Sequence, residues 1–124
     1  MQTTIHTTGS IELNPKLREY VEKKAEMLTK YLGAANDSTA MCKVELGMVT
    51  EGQNTGDVFK AEIGVAYTGN SHYYEATAST IEKAIDKAKD EMKRELQRSR
   101  KKERHVFRRG AQAMKDFMRG FRKD

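Results

Sequence analysis

Between Ser79 and Arg104 the chain reads STIEKAIDKAKDEMKRELQRSRKKER, with no Gly or Pro, and hardly any structure but one long amphipathic helix suits it. At ~100° per residue, Ile81, Ala84, Ile85, Ala88, Met92, Leu96 and Ser99 fall in a band about 120° wide. That band is the expected core stripe. On the opposite side Lys83, Lys87, Arg94, Arg98 and Lys101 lie within about 60° of one another. Lys89, Lys93 and Arg100 form a shorter basic row on one flank. Ser79 followed three residues later by Glu82 fits a capping box, in which the hydroxyl takes the Glu82 amide and the carboxylate reaches back to the Ser79 amide.

The charge around this helix is uneven. The net charge of +5 divides into seven Lys/Arg against ten Asp/Glu over residues 1–81, and sixteen against eight over residues 82–124. Within residues 98–109 seven basic residues face Glu103 alone. An acidic globular part carrying a basic helix and tail is the layout of a chain that meets a polyanion. Asp86, Asp90 and Glu91 are positioned to pair with Lys87 and Arg94 on neighbouring turns. The anion-binding part is therefore expected from Arg94 onward, with Arg104, Arg108 and Arg109 extending it.

The rest of the chain supplies layers for that helix to cover. Thr3 to Thr8 alternates around Ile5 and reads as a short strand. Asn14 before Pro15 marks a helix start, with a side-chain acceptor at the cap and proline in the first turn. Leu17, Tyr20, Val21, Ala25, Met27, Leu28, Tyr31 and Leu32 then make one apolar face, closed by Gly33. Lys24 interrupts this face, either as a stem snorkelling past the core edge or as a charge aimed at an anionic ligand. After a turn-rich Asn36 to Thr39, Cys42, Val44, Leu46 and Met48 alternate with more polar neighbours. Glu51 to Asp57 reads as a polar hairpin loop. Phe59, Ala61, Ile63, Val65 and Tyr67 alternate next, and Thr68 to Ser71 makes a tight turn. His72 to Ser79 gives a last strand, with Tyr74, Ala76 and Ala78 inward. The predicted order is β-α-β-β-β-α. The predicted class is α+β, a two-layer sandwich with a four-stranded sheet and both helices on one face.

Several function classes find no support in the residues. His6, His72 and His105 are scattered, and Cys42 is alone, so neither a metal site nor a cofactor is expected. No nucleophile stands beside a base with a supporting residue, and an enzyme is not expected. No apolar run reaches the ~18 residues of a membrane span. The N-terminal MQTTIHTTG has no signal-type basic or apolar region, so a cytoplasmic protein without membrane or small-molecule partners is expected. In residues 105–124, Met114, Phe117, Met118 and Phe121 recur at helical spacing among basic residues. This basic amphipathic tail is expected either to dock back on the domain or to fold against RNA or a protein partner.

LREYVEKK (Leu17 to Lys24), FKAEI (Phe59 to Ile63) and AIDKAKDEMKRELQRSRKK (Ala84 to Lys102), in this element order, resemble the ribosome hibernation promoting factor family. That family is also called ribosome-associated inhibitor A, protein Y or sigma-54 modulation protein. The resemblance covers about residues 3 to 104 and is to the short form, with an unusual tail over 105–124. It implies a fold similar to double-stranded RNA-binding domains. It implies binding to the small ribosomal subunit and its rRNA at the decoding region, so that messenger and transfer RNA are blocked under starvation or in stationary phase. Lys24, Arg94, Arg98, Arg100 and Lys102 match basic positions of the family. Lys83, Lys87 and Lys101 come from the helix geometry instead. Ala84, Ile85 and Asp86 match a structural segment. Ala25 stands where the family often has a larger apolar residue, and Glu91 where a lysine is common. The tail is expected to contact rRNA, a ribosomal protein or a second chain. The alternative reading is a general double-stranded RNA-binding or RNA-chaperone module not tied to the ribosome.

Overall fold

A computed structural model describes residues 1–33, 38–49 and 58–122, and for 103–122 the helical backbone alone. The element order is β1 (Gln2–Thr7), α1 (Pro15–Glu26), a 3-10 turn (Thr29–Tyr31), β2 (Met41–Met48), β3 (Phe59–Tyr67), β4 (Asn70–Ala78) and α2 (Ile81–Arg122). The four strands lie in the order β1-β2-β3-β4. β1 runs parallel to β2, whereas β2–β3 and β3–β4 are antiparallel. A parallel pair needs a crossover between its strands, and α1 supplies it. The partner of β1, which its own residues do not reveal, is therefore β2.

Side-chain alternation decides which face of the sheet is covered. Cα partners align Ile5, Val44, Ile63 and Tyr74 in one row across the four strands, and Thr3, Cys42, Val65 and His72 in the next. Cys42, Val44, Leu46, Ala61, Ile63, Val65 and Ala78 from this face join one core with Leu17, Val21, Ala25, Leu28 and Leu32. The α2 stripe of Ala84, Ile85, Ala88, Met92 and Leu96 completes it, each at most 1% exposed. Both helices thus bury one stripe against one face of the sheet, which is the expected two-layer α+β sandwich. Met48, read as inward, is instead 38% exposed. It is the last residue of β2 and lines an open pocket with Leu17 and Tyr20 of α1 and Ile81 at the start of α2.

Four boundaries differ from the sequence reading. The regular part of α1 ends at Glu26, with Met27 as its C-cap, rather than at Leu32. The Thr29 hydroxyl donates to the Glu26 carbonyl at 2.8 Å, and the amides of Tyr31 and Leu32 reach back three residues to Leu28 and Thr29. This tighter winding still places Leu28 and Leu32 in the core, so the apolar spacing alone cannot distinguish it from a longer α-helix. Gly33 closes the segment with φ +86°, a backbone conformation that glycine accepts without strain.

The cap of α2 is Thr80, not Ser79: the Lys83 amide donates to its hydroxyl at 3.2 Å and the Ala84 amide to its carbonyl at 3.1 Å. No capping box forms there, because the residue three beyond Thr80 is Lys83. At its other end α2 continues as helical backbone to Arg122, past the expected limit at Arg104. The β3–β4 hairpin is tighter than predicted, with Tyr67 opposite Asn70 and only Thr68 and Gly69 between them. Both have positive φ, 22° and 77°, as a two-residue type I′ turn requires. The Glu51–Asp57 loop lies outside the described residues. So do Asn36 and Asp37 of the Asn36–Thr39 turn.

Candidate nucleic-acid interface

On α2 the predicted basic row faces solvent. Lys83, Lys87, Arg94, Arg98 and Lys101 are all exposed, and Lys102 beside them is exposed too. At ~1.5 Å rise per residue the row from Lys83 to Lys101 spans about 27 Å, enough to follow several phosphates. Arg104, Arg108 and Arg109 lie on the continuing helix, and their side chains lie outside the described residues.

The glutamates between these cations partly neutralise them. Arg94 Nη1 lies 2.7 Å from Glu91 Oε1, and Arg98 Nη1 lies 2.9 Å from Glu95 Oε2. Both arginines are about two-thirds exposed, at 65% and 68%. Such pairs contribute only ~0.2–1 kcal/mol, so a phosphate can compete for either guanidinium. Glu91 was expected to pair with Arg94. Glu95 was not singled out, and it has the larger set of contacts. Besides Arg98, it accepts from the Tyr74 hydroxyl at 3.2 Å and lies 3.6 Å from His72 Nδ1. Beyond it, the Tyr67 hydroxyl stands 3.4 Å from His72 Nε2 and 3.3 Å from Ser99 Oγ. Ser99, counted in the core stripe, therefore ends that stripe with a polar contact to the last residue of β3.

The expected pairing at the start of α2 takes a different form. Asp86 does not pair with Lys87; its Oδ1 accepts from the Tyr20 hydroxyl at 2.7 Å and lies 3.3 Å from Lys24 Nζ. The Lys24 ammonium also sits 5.2 Å from the centre of the Tyr20 ring. Lys24 thus ties α1 to α2 while keeping 22% of its side chain exposed. The phenol of Tyr20 is pushed up to about 12 from 10.0, first by burial and then by the Asp86 carboxylate. Lys87 donates to the Thr77 carbonyl at 3.3 Å, and Asp90 pairs with Lys89 at 2.9 Å.

The stretch of α2 from Arg94 to Lys101 forms one wall of a groove of about 770 Å³, with the 3-10 turn as the other. Lys30, Tyr31, Arg94, Gln97, Arg98, Arg100 and Lys101 line it. Arg100 joins the two walls: its guanidinium donates to the Lys30 carbonyl at 3.2 Å and stands 3.8 Å from where a Cβ on Gly33 would lie. Sequence reasoning placed Arg94, Arg98, Arg100 and Lys101 here but missed Lys30, Tyr31 and Gln97. Lys30 and Tyr31 are adjacent to the Gly33 stop signal, and only the packing of the turn against α2 reveals their role. Among the described residues, no group of three or more His, Cys, Asp or Glu could hold a metal ion. Among them, no helix is long and apolar enough to cross a membrane.

The fold and this surface define a small α+β domain that turns a cationic helix and groove to solvent. The sequence model of the sigma 54 modulation protein / S30EA ribosomal protein family matches residues 5–104, and the chain belongs to that family. The N-terminal domain of Protein Y from Thermus thermophilus is similar in structure, with a TM-score of 0.64 and 28% identity. The match covers 79% of this chain and 98% of that one. A ribosomal subunit interface protein from Coxiella burnetii superposes with a TM-score of 0.60 over 80% of this chain and 97% of its own. At 17% identity it speaks for the fold alone. No curated protein matches the chain in sequence.

Proposed function

We propose that this protein is a translation-inhibiting hibernation factor. In this reading it binds rRNA of the small ribosomal subunit at the decoding region and blocks messenger and transfer RNA there. Membership of a family described as S30EA ribosomal protein supports the ribosome as partner. The observation that carries the reading is the exposed row of Lys83, Lys87, Arg94, Arg98 and Lys101, running into the groove at Arg100. Phosphate contacts from such a row give affinity and salt dependence with little base-specific readout. That suits a plug for a structured RNA path. Lys102, Arg104, Arg108 and Arg109 extend the row in sequence, and Lys24 stands at its α1 side. Residues 1–104 are proposed as the binding domain and 105–124 as an appendage that adds contacts.

The test is the double variant Arg94→Glu with Arg98→Glu, assayed by co-sedimentation with purified small subunits at several salt concentrations. Affinity should fall more than tenfold, and the log–log salt slope should flatten by roughly 1.5, since each lost phosphate contact removes ~0.7–0.9. Thermal stability should hold within a few degrees, because exposed pairs contribute ~0.2–1 kcal/mol each. Undiminished binding by the double variant would show that the row is a solvated face and nothing more. Displacement by any RNA helix, rather than by transfer RNA and initiation factors, would favour a general duplex-binding module.

A further inference from the structure

Gripping a phosphate backbone needs cations and nothing else, yet the groove between the 3-10 turn and α2 also holds a ring and an amide. Tyr31 lines it together with Lys30, Arg94, Gln97, Arg98 and Lys101. Tyr31 is held in place: its amide bonds to the Leu28 carbonyl at 3.1 Å, and its side chain packs at the edge of the core. The Arg100 bond to the Lys30 carbonyl fixes the turn against α2, so the two walls are set before any ligand arrives.

The ring already attracts cations. Lys30 Nζ lies 5.2 Å and Lys93 Nζ 5.8 Å from its centre, and of these two lysines only Lys30 lines the groove. An ammonium on a flexible stem is easily exchanged for a flat ligand, and Lys30 can then turn to a phosphate. The exposed Gln97 amide has no partner among the described residues. It offers one acceptor and two donors toward the same space. The volume of about 770 Å³ falls within the ~300–1,000 Å³ of ordinary ligand clefts. A stacking ring, an edge-reading amide and several cations are the parts that recognise an unpaired nucleotide.

We propose that this groove takes an unpaired RNA nucleotide. Its base stacks on Tyr31 with its edge toward Gln97, and the adjoining phosphates lie on Arg94, Arg98 and Lys101. The proposal rests on the reading that this surface faces rRNA, and it narrows that reading from shape-read duplex to single-stranded or bulged RNA. Paired bases in an A-form helix expose no face for stacking, so a duplex cannot use Tyr31.

The experiment compares the full chain with its Tyr31→Leu and Tyr31→Phe variants. The probes are a labelled 12-nucleotide single-stranded RNA, the same strand annealed to its complement, and the strand with its bases removed at the central positions. Leucine should weaken single-strand binding roughly 5- to 100-fold, the usual effect of losing one stacked base. Phenylalanine should stay within about twofold of the parent. Duplex affinity and the single-strand salt slope should not change with either variant, since the lost contact is not ionic. The parent protein should lose affinity for the base-depleted strand by the same factor, which reads the stacking contact even if the leucine variant folds poorly. Single-strand binding unchanged by leucine, or leucine weakening duplex and single strand equally, would overturn the proposal. Small-subunit sedimentation separates this failure from that of the wider reading: charge-dependent binding with an indifferent Tyr31 removes the nucleotide site alone. Tyr31-dependent single-strand binding without any small-subunit binding removes the ribosome reading instead.

Discussion

Replacing Asp86 with Ala removes the one acceptor that holds two side chains of α1 against α2, and its cost can be worked from the geometry. The Tyr20 hydroxyl donates to Oδ1 at 2.7 Å, and a hydrogen bond to a charged acceptor is worth ~1.5–3 kcal/mol when sheltered. Here the Asp86 side chain is 40% exposed, which brings the expectation to about 1–2 kcal/mol. The Lys24 pair at 3.3 Å adds ~0.2–1 kcal/mol, as for other solvent-screened pairs. Asp86→Ala should therefore cost about 1.5–3 kcal/mol. For a domain of this size that lowers Tm by roughly 5–12 °C.

Tyr20→Phe removes one arm and should cost about 1–2 kcal/mol by itself. Circular-dichroism melts of both single variants and the double variant give the coupling, expected near 1 kcal/mol because the two groups share one bond. Alkaline pH provides an independent readout. The Tyr20 phenol is raised to about 12 in the folded chain, against an ordinary value of 10.0, so the folded state holds this proton more tightly than the unfolded one. Its contribution to stability is fully present below about pH 10 and is lost as pH rises toward 12. The parent protein should lose stability faster than Tyr20→Phe across that interval. In Asp86→Ala the phenol should titrate earlier, yet only part of the way back, because burial is the larger cause. Strict additivity of the two substitutions would refute the shared bond, as would identical alkaline profiles for the parent and Tyr20→Phe.

Two further outcomes follow from the sheet. On its open face Tyr73 donates to Glu62 Oε1 at 2.7 Å, and this bond, helped by the nearby Lys60 and opposed by burial, holds the Glu62 carboxyl below the usual range. A lowered carboxyl contributes stability above its unfolded pKa that is lost as pH falls through the folded value. Tyr73→Phe should therefore narrow the acid-stable range, moving the acid unfolding midpoint upward, and an unchanged midpoint counts against the bond. On the covered face Cys42 is 1% exposed and burial pushes its thiol up to about 11. Iodoacetamide at about pH 8 should modify it far more slowly in the folded protein than in denaturant, since the thiolate is the reactive form.

How much of this was legible in the residues depends on the range of the interaction. Alternation at Cys42–Leu46 and Phe59–Tyr67 marked the strands, and the 3.6 period of Ile81–Leu96 marked the core stripe of α2, because burial imposes those periods locally. The exposed row on the opposite side follows from the same arithmetic. The end of α1 was not legible, since Leu28 and Leu32 reach the core equally well from an α-turn or a 3-10 turn. The choice between Ser79 and Thr80 as cap was also hidden. Either hydroxyl can cap a helix, and the register that sets Ala78 opposite Phe59 settles which one follows the strand.

By itself, then, the sequence determined the elements, the two-layer class and the side of α2 that meets solvent, because each is fixed by neighbours two to four residues apart. Tertiary structure alone decided which of those side chains reach another element. Pairing β1 with β2 carries α1 across the sheet and brings Tyr20 and Lys24 to Asp86. The same packing lays the turn at Lys30 and Tyr31 beside Arg94, Gln97 and Arg100, which lie 63 to 70 positions further along the chain. A groove between two elements has no local period, and no helical arithmetic on either element can reveal it.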